Sequence, residues 1–187
     1  MSAGLLYRYF PSKQAVVLAL YDELSAEYQA RAETMAPGNW RDRFLYTLER
    51  SLEVQAPHRG TLAELVPVLV GTANEGVFAP GTAFSRQRVH AVFGRAVLEA
   101  ADAPPPEVGA ALGRLLYLLH LAITLWWLLD KSPGQRATNQ LVALTRRALP
   151  LFAFTVRIRA VRSLIVRADV LFREALFDDV SSGRPEG

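Results

Sequence analysis

Apolar residues recur at three- and four-residue spacing through most of this chain, and no stretch alternates in the period of two that a half-buried strand requires. Glycine and proline clusters cut the pattern into segments of helical length. A helix with an apolar stripe is stable only when that stripe is covered. The chain is therefore expected to be all-α, a helical bundle whose helices bury one another.

The first stripe, Val16, Leu20, Leu24 and Tyr28, follows Ser12 as N-cap and ends before Pro37-Gly38. Asn39 can cap the next helix, with Asp42 in its first turn and Trp40, Phe44, Leu48 and Leu52 on one face, ending at Pro57. Thr61 and Glu64 have capping-box spacing at the head of a short helix that contains Pro67 and stops at Gly71. After a loop over residues 72–81, a helix over 84–101 would turn Val89, Phe93 and Val97 inward, and Pro104-Pro105-Pro106 closes it.

Residues 107–130 are apolar nearly all round, which predicts burial from several sides, with Gly109 and Gly113 letting a neighbouring backbone approach. The longest apolar stretch, Leu115 to Leu129, is interrupted by His120 and Thr124 and is shorter than the roughly 18 to 20 residues of a bilayer span. A buried helix is expected, with no membrane contact. Ser132-Pro133 marks another helix start, Pro150 should kink that helix, and Val161, Leu164, Ile165, Ala168, Leu171 and Phe172 give the last helix an apolar face.

With 51% hydrophobic and 21% charged residues the chain has the composition of a folded protein. The absence of cysteine removes disulfides, thiolate nucleophiles and cysteine zinc sites. His58, His90 and His120 do not fall at the spacing of a metal motif, and no glycine-rich phosphate loop or nucleophile elbow is present. No catalytic constellation, metal or cofactor is expected. No secretory leader is recognisable from Met1 onward, so the cytoplasm is the expected compartment. A net charge of +3 is too small to argue for nucleic acid by itself, and the base-rich, acid-free stretch over residues 131–168 reads as a solvated helix face.

The most specific signal is Gly4-Leu5-Leu6-Tyr7-Arg8-Tyr9-Phe10-Pro11-Ser12-Lys13, a short aromatic helix, a proline stop and a capped new helix. It resembles the end of the recognition helix and the start of the following helix in the tetracycline-repressor (TetR) family of transcriptional regulators. That resemblance implies a TetR-like bundle with a helix-turn-helix remnant over residues 1–36 and an effector-binding and dimerisation body over 37–187. Leu6, Tyr9 and Phe10 would pack on neighbouring helices. Tyr7 and Lys13 would hold phosphates, while Arg8, Ser2, Ala3, Gly4 and Leu5 would face base or sugar edges of operator DNA.

In this family two further helices precede the motif, and Met1 stands where valine is common, so the DNA-binding head is expected to be incomplete here. A misassigned valine start codon and a true loss of the head are the two explanations. The second would leave a ligand-binding or dimer-partner protein without specific DNA binding. The resemblance further implies a homodimer through residues 112–129 and 135–154, and a pocket for a small hydrophobic effector. Trp40, Phe44, Phe84, Phe93, Tyr117 and Trp126 are the candidates for its wall, with His90 and His120 as polar groups.

Overall fold

The computed structural model describes residues 13–70 and 76–176. Seven α-helices account for most of them: α1 (Lys13–Ala32), α2 (Trp40–Gln55), α3 (Arg59–Leu69), α4 (Ala83–Leu98), α5 (Pro106–Leu129), α6 (Arg136–Thr155) and α7 (Arg159–Leu176). Single 3₁₀ turns at Ala56–His58, Pro80–Thr82 and Pro133–Gln135 precede α3, α4 and α6. No strand occurs among the described residues. The fold is an all-α bundle, as the periodicity requires.

The expected stripes are the core. Val16, Leu24 and Tyr28 of α1 are buried, as are Trp40, Phe44 and Leu48 of α2 and Val89, Phe93 and Val97 of α4. Asn39 caps α2 by accepting a hydrogen bond from the Asp42 N–H at 3.0 Å. The N-terminus of α6 is capped from the preceding turn. The Asp130 carboxylate accepts from the backbone N–H groups of Ser132 and Thr138, and Ser132 Oγ accepts from the Ala137 N–H.

Helix α5 is the axis of the bundle, and its packing against α4 is the most extensive of any helix pair. The two backbones meet at a pair of glycines: a Cβ on Gly113 would lie 3.1 Å from the Cα of Gly94. A Cβ on Gly109 would meet Leu98 at 2.8 Å. These α5 glycines serve close packing inside the chain, against α4, the neighbouring-backbone approach expected of them. Gly76 is tied down differently. Its φ of +93° and the carbonyl of Leu69, 2.5 Å from an ideal Cβ, exclude any side chain where the chain returns past the end of α3.

Pro150 lies inside α6, which continues to Thr155. Three expectations need correction. Thr61 and Glu64 form no capping box, because the turn at Ala56–His58 runs directly into α3 and leaves Thr61 inside the helix. Helix α5 is not covered all round: Leu119, Trp126 and Leu129 point outward. Helix α7 docks on α5 through buried Ile165 and through Asp169, whose carboxylate takes two hydrogen bonds from Arg114 at 2.5 and 2.6 Å, while Leu164, Leu171 and Phe172 stay exposed.

By length and composition α5, with 24 residues, could cross a membrane, a longer helix than the apolar run alone indicates. Its contacts with α4, α7, α3, α6 and α2 give it the environment of a core helix instead. Replacing Gly113 with valine would force branched carbon against the Gly94 backbone. We expect a loss of about 1–3 kcal/mol, read as a lower urea midpoint at unchanged slope. An unchanged midpoint would mean that the crossing is loosely packed.

Candidate functional site

A cavity of about 90 Å³ lies between α1, α2, α3 and α5. Its apolar wall is mostly leucine: Leu20 and Leu24 from α1, Leu62, Leu65 and Leu69 from α3, and Leu121 and Leu128 from α5. Val54, Val77 and Val89 complete it. Polar side chains reach it from α2 and α5, and from α1 opposite.

There Ser51 of α2 and His120 of α5, both 3% exposed, are joined by a hydrogen bond of 2.7 Å between Oγ and Nε2. The Gln55 side-chain amide donates to Ser51 Oγ at 2.8 Å, one helical turn further along α2. Ser51 Oγ has one proton and a second lone pair left after accepting from Gln55, so it can donate to an unprotonated Nε2 or accept from Nε2–H. One turn beyond His120 on α5, Thr124 is 9% exposed, and its hydroxyl is buried without a hydrogen-bond partner. Tyr21, Ser25 and Tyr28 of α1 line the facing wall.

Among the described residues no charged side chain lines this cavity. Burial lowers the His120 pKa to about 3, because an imidazolium there would lose its hydration, so the ring is neutral at physiological pH. Burial likewise raises Tyr21 and Tyr28 above the usual phenol value. A serine–histidine pair can suggest a nucleophile and its base. Here the base is too weak near neutrality to take a proton, so the pair is suited to hydrogen bonding rather than proton transfer.

Of the side chains expected to wall a pocket, only His120 reaches this one. Phe44, Phe93 and Tyr117 are fully buried and belong to the core. Phe93 is their centre, with ring centroids 4.8 Å from His120, 6.0 Å from Phe44 and 6.1 Å from Tyr117. His90 is half-buried and meets the Tyr117 ring edge-on at 5.8 Å, outside the cavity wall. Trp40 is buried against Phe152, beside a separate surface cleft.

Phe84 and Trp126 correct the expectation most directly. Phe84 is 68% exposed beneath the guanidinium of Arg88, and Trp126 is 51% exposed on the outer face of α5. Both sit on the solvent-facing side of their helices, where size alone cannot bury them. The residues that sequence reasoning missed are Ser51, Gln55, Thr124 and the leucines of α3. One signal for them was visible, since His120 and Thr124 interrupt an apolar run at a spacing of four and so share one face of α5.

The expected DNA contacts at Ser2, Ala3, Gly4, Leu5, Tyr7 and Arg8 lie outside the described residues, and Lys13 begins α1. No family model and no curated protein matches the chain.

The depressed His120 pKa has a measurable consequence. Below pH 6.5 the unfolded chain takes up a proton at this residue that the folded chain refuses until about pH 3. Stability should therefore fall as pH drops through that window, by up to roughly 1.4 kcal/mol per pH unit from this group. Urea midpoints at pH 7 and pH 4.5 should differ less in His120→Gln than in the parent chain. An equal drop in both would assign the acid sensitivity to other groups.

Proposed function

We propose that this chain is a TetR-type transcriptional regulator, most simply a repressor, that acts as a cytoplasmic homodimer without catalysis. In this reading the segment from Ser2 to Lys13 contacts operator DNA, and a small hydrophobic effector occupies the cavity. Binding there favours one arrangement of the two DNA-contacting segments over others.

The observation that carries the reading is the position of α1. This helix begins at Lys13, the last residue of the family-like motif, and supplies Leu20, Tyr21, Leu24 and Tyr28 to the cavity wall from its second turn onward. A ligand in contact with those side chains acts on the helix whose first residue, Lys13, ends the motif. The neutral Ser51–His120 pair supports binding rather than turnover.

A second copy is the occupant that best suits the outer apolar face. Leu119, Trp126 and Leu129 of α5 and Leu144 and Leu151 of α6 are exposed at helical spacing, an apolar surface that isolated chains seldom leave in water. Joining two copies there in a four-helix contact would set two motifs about one turn of DNA apart, roughly 34–36 Å.

Selection from random duplex DNA tests the regulator reading. It should return an inverted repeat whose affinity falls steeply with salt, because phosphate contacts release counterions. Recovery of no motif by a chain that still binds small apolar molecules would leave a ligand-binding or dimer-partner protein instead. Separately, sedimentation should find dimers, and Leu151→Glu should weaken self-association by tenfold or more, since Leu151 is 75% exposed in the single chain. A monomeric parent chain would sink the dimer.

A further inference from the structure

We infer that the cavity between α1, α2, α3 and α5 takes a compact uncharged molecule of at most about six non-hydrogen atoms that carries one hydroxyl or carbonyl, held by Thr124. This rests on the reading of the cavity as a ligand site and specifies the chemistry of its occupant.

The size follows from the volume. A space of about 90 Å³ is smaller than the roughly 150 Å³ of a cavity that accepts benzene, and far larger than one water requires. The shape of the wall follows from the leucines of α1, α3 and α5, which offer dispersion contact and no hydrogen bonds.

The polar end sets the chemistry. Ser51 is committed to His120 and to Gln55. Thr124 lies on the same face of α5, one turn from His120, and its hydroxyl has no partner within the chain although it is buried. A buried hydroxyl left unpaired is costly, and an occupant that pairs with it recovers that cost on binding. A hydroxyl can either donate to or accept from one lone hydroxyl, and a carbonyl can accept from it.

Charge is excluded by the same wall. Among the described residues no lysine, arginine, aspartate or glutamate lines the cavity, so a carboxylate or ammonium would meet no counter-ion from them and lose its hydration. Arg41, Arg157 and Arg162 open onto a different cleft, beside Trp40. The Tyr21 and Tyr28 hydroxyls and His120 Nδ1 are likewise buried without a hydrogen-bond partner on residues of this wall, so Thr124 is assigned as the anchor because it lies on the His120 face of α5, and selection among neutral molecules rests on hydrogen bonding there and on the volume that the leucines leave.

Methyl NMR of the leucines and valines tests this with three probes of similar size: cyclopentanol, cyclopentane and cyclopropanecarboxylate. The alcohol should shift the methyls of Leu24, Leu62 and Leu65 and bind most tightly, the alkane should bind the same place more weakly, and the carboxylate should bind on the order of a hundredfold more weakly than the alcohol. Thr124→Val, nearly equal in shape, should weaken the alcohol roughly three- to tenfold and leave the alkane unchanged. Thr124→Ser should keep the alcohol's advantage. Alcohol and alkane binding alike, with no effect of Thr124→Val, would overturn the hydrogen-bonding assignment while the cavity stands as a ligand site. A carboxylate that binds as well as the alcohol would overturn the exclusion of charge. If no probe moves the cavity methyls, the ligand-site reading itself falls.

Discussion

The close approach of α4 and α5 at Gly94 and Gly113 is the constraint from which the other placements follow. With no side chain at either position, the helices come near enough for Phe93 of α4 to pack against both Tyr117 and His120 of α5. That arrangement turns His120 towards Ser51 of α2 and fixes the rotation of α5 about its own axis. The rotation then decides which residues face the cavity, His120, Thr124 and Leu128, and which face outward, Leu119, Trp126 and Leu129. One crossing thus sets both the polar end of the cavity and the composition of the outer surface.

Two arginines hold the ends of this crossing pair. Arg43, 6% exposed, donates to the carbonyls of Ala96 and Arg95 near the C-terminus of α4 and to that of Ala36 before α2. Arg59, at the start of α3, donates to the carbonyls of Trp127, Leu128 and Asp130 at the C-terminus of α5. A helix C-terminus presents unpaired carbonyls and partial negative charge, so a guanidinium with several donors answers both needs at once. The frame is therefore pinned at its ends by directed polar bonds, whereas the cavity between the pins is lined mainly by side chains that make only dispersion contacts. Rigidity and adaptability are assigned to different parts of the same helices.

How much of this was legible in the sequence depended on whether a residue's role was set by its own helix or by another. Periodicity alone located the buried faces of α1, α2 and α4, because a stripe on one helix has only one way to avoid water. The cap at Asn39 was equally local. The cavity wall was not, since it depends on how four helices come together. Large aromatic side chains were natural candidates for it. In the fold Phe44, Phe93 and Tyr117 fill the crossing because they are the bulkiest apolar groups near it, and the space left over is bounded by smaller leucines. Asp169 is a similar case. Its burial on an otherwise apolar face makes sense only beside Arg114, 55 residues away in sequence.

The way α1 is held limits how it can respond to an occupant. Midway along the helix, the side chain of Arg88 on α4 donates to the backbone carbonyl of Asp22, to its carboxylate and to Ser25 Oγ, and Ser85 donates to the same carboxylate. The three contacts from Arg88 lie within 3.1 Å, which opposes sliding of α1 along α4. The residues that touch the cavity, Leu20, Tyr21, Leu24 and Tyr28, flank this anchor on both sides. The Ala32 end is fully buried, on a helix that packs against α2. A rod held at its middle and at one end cannot pivot, so it yields to an occupant only by bending in the segment before Asp22, where Leu20 and Tyr21 touch the cavity and Val16 packs on Leu65. That segment leads to Lys13, the end that carries the DNA-contacting motif in the function proposed for this chain.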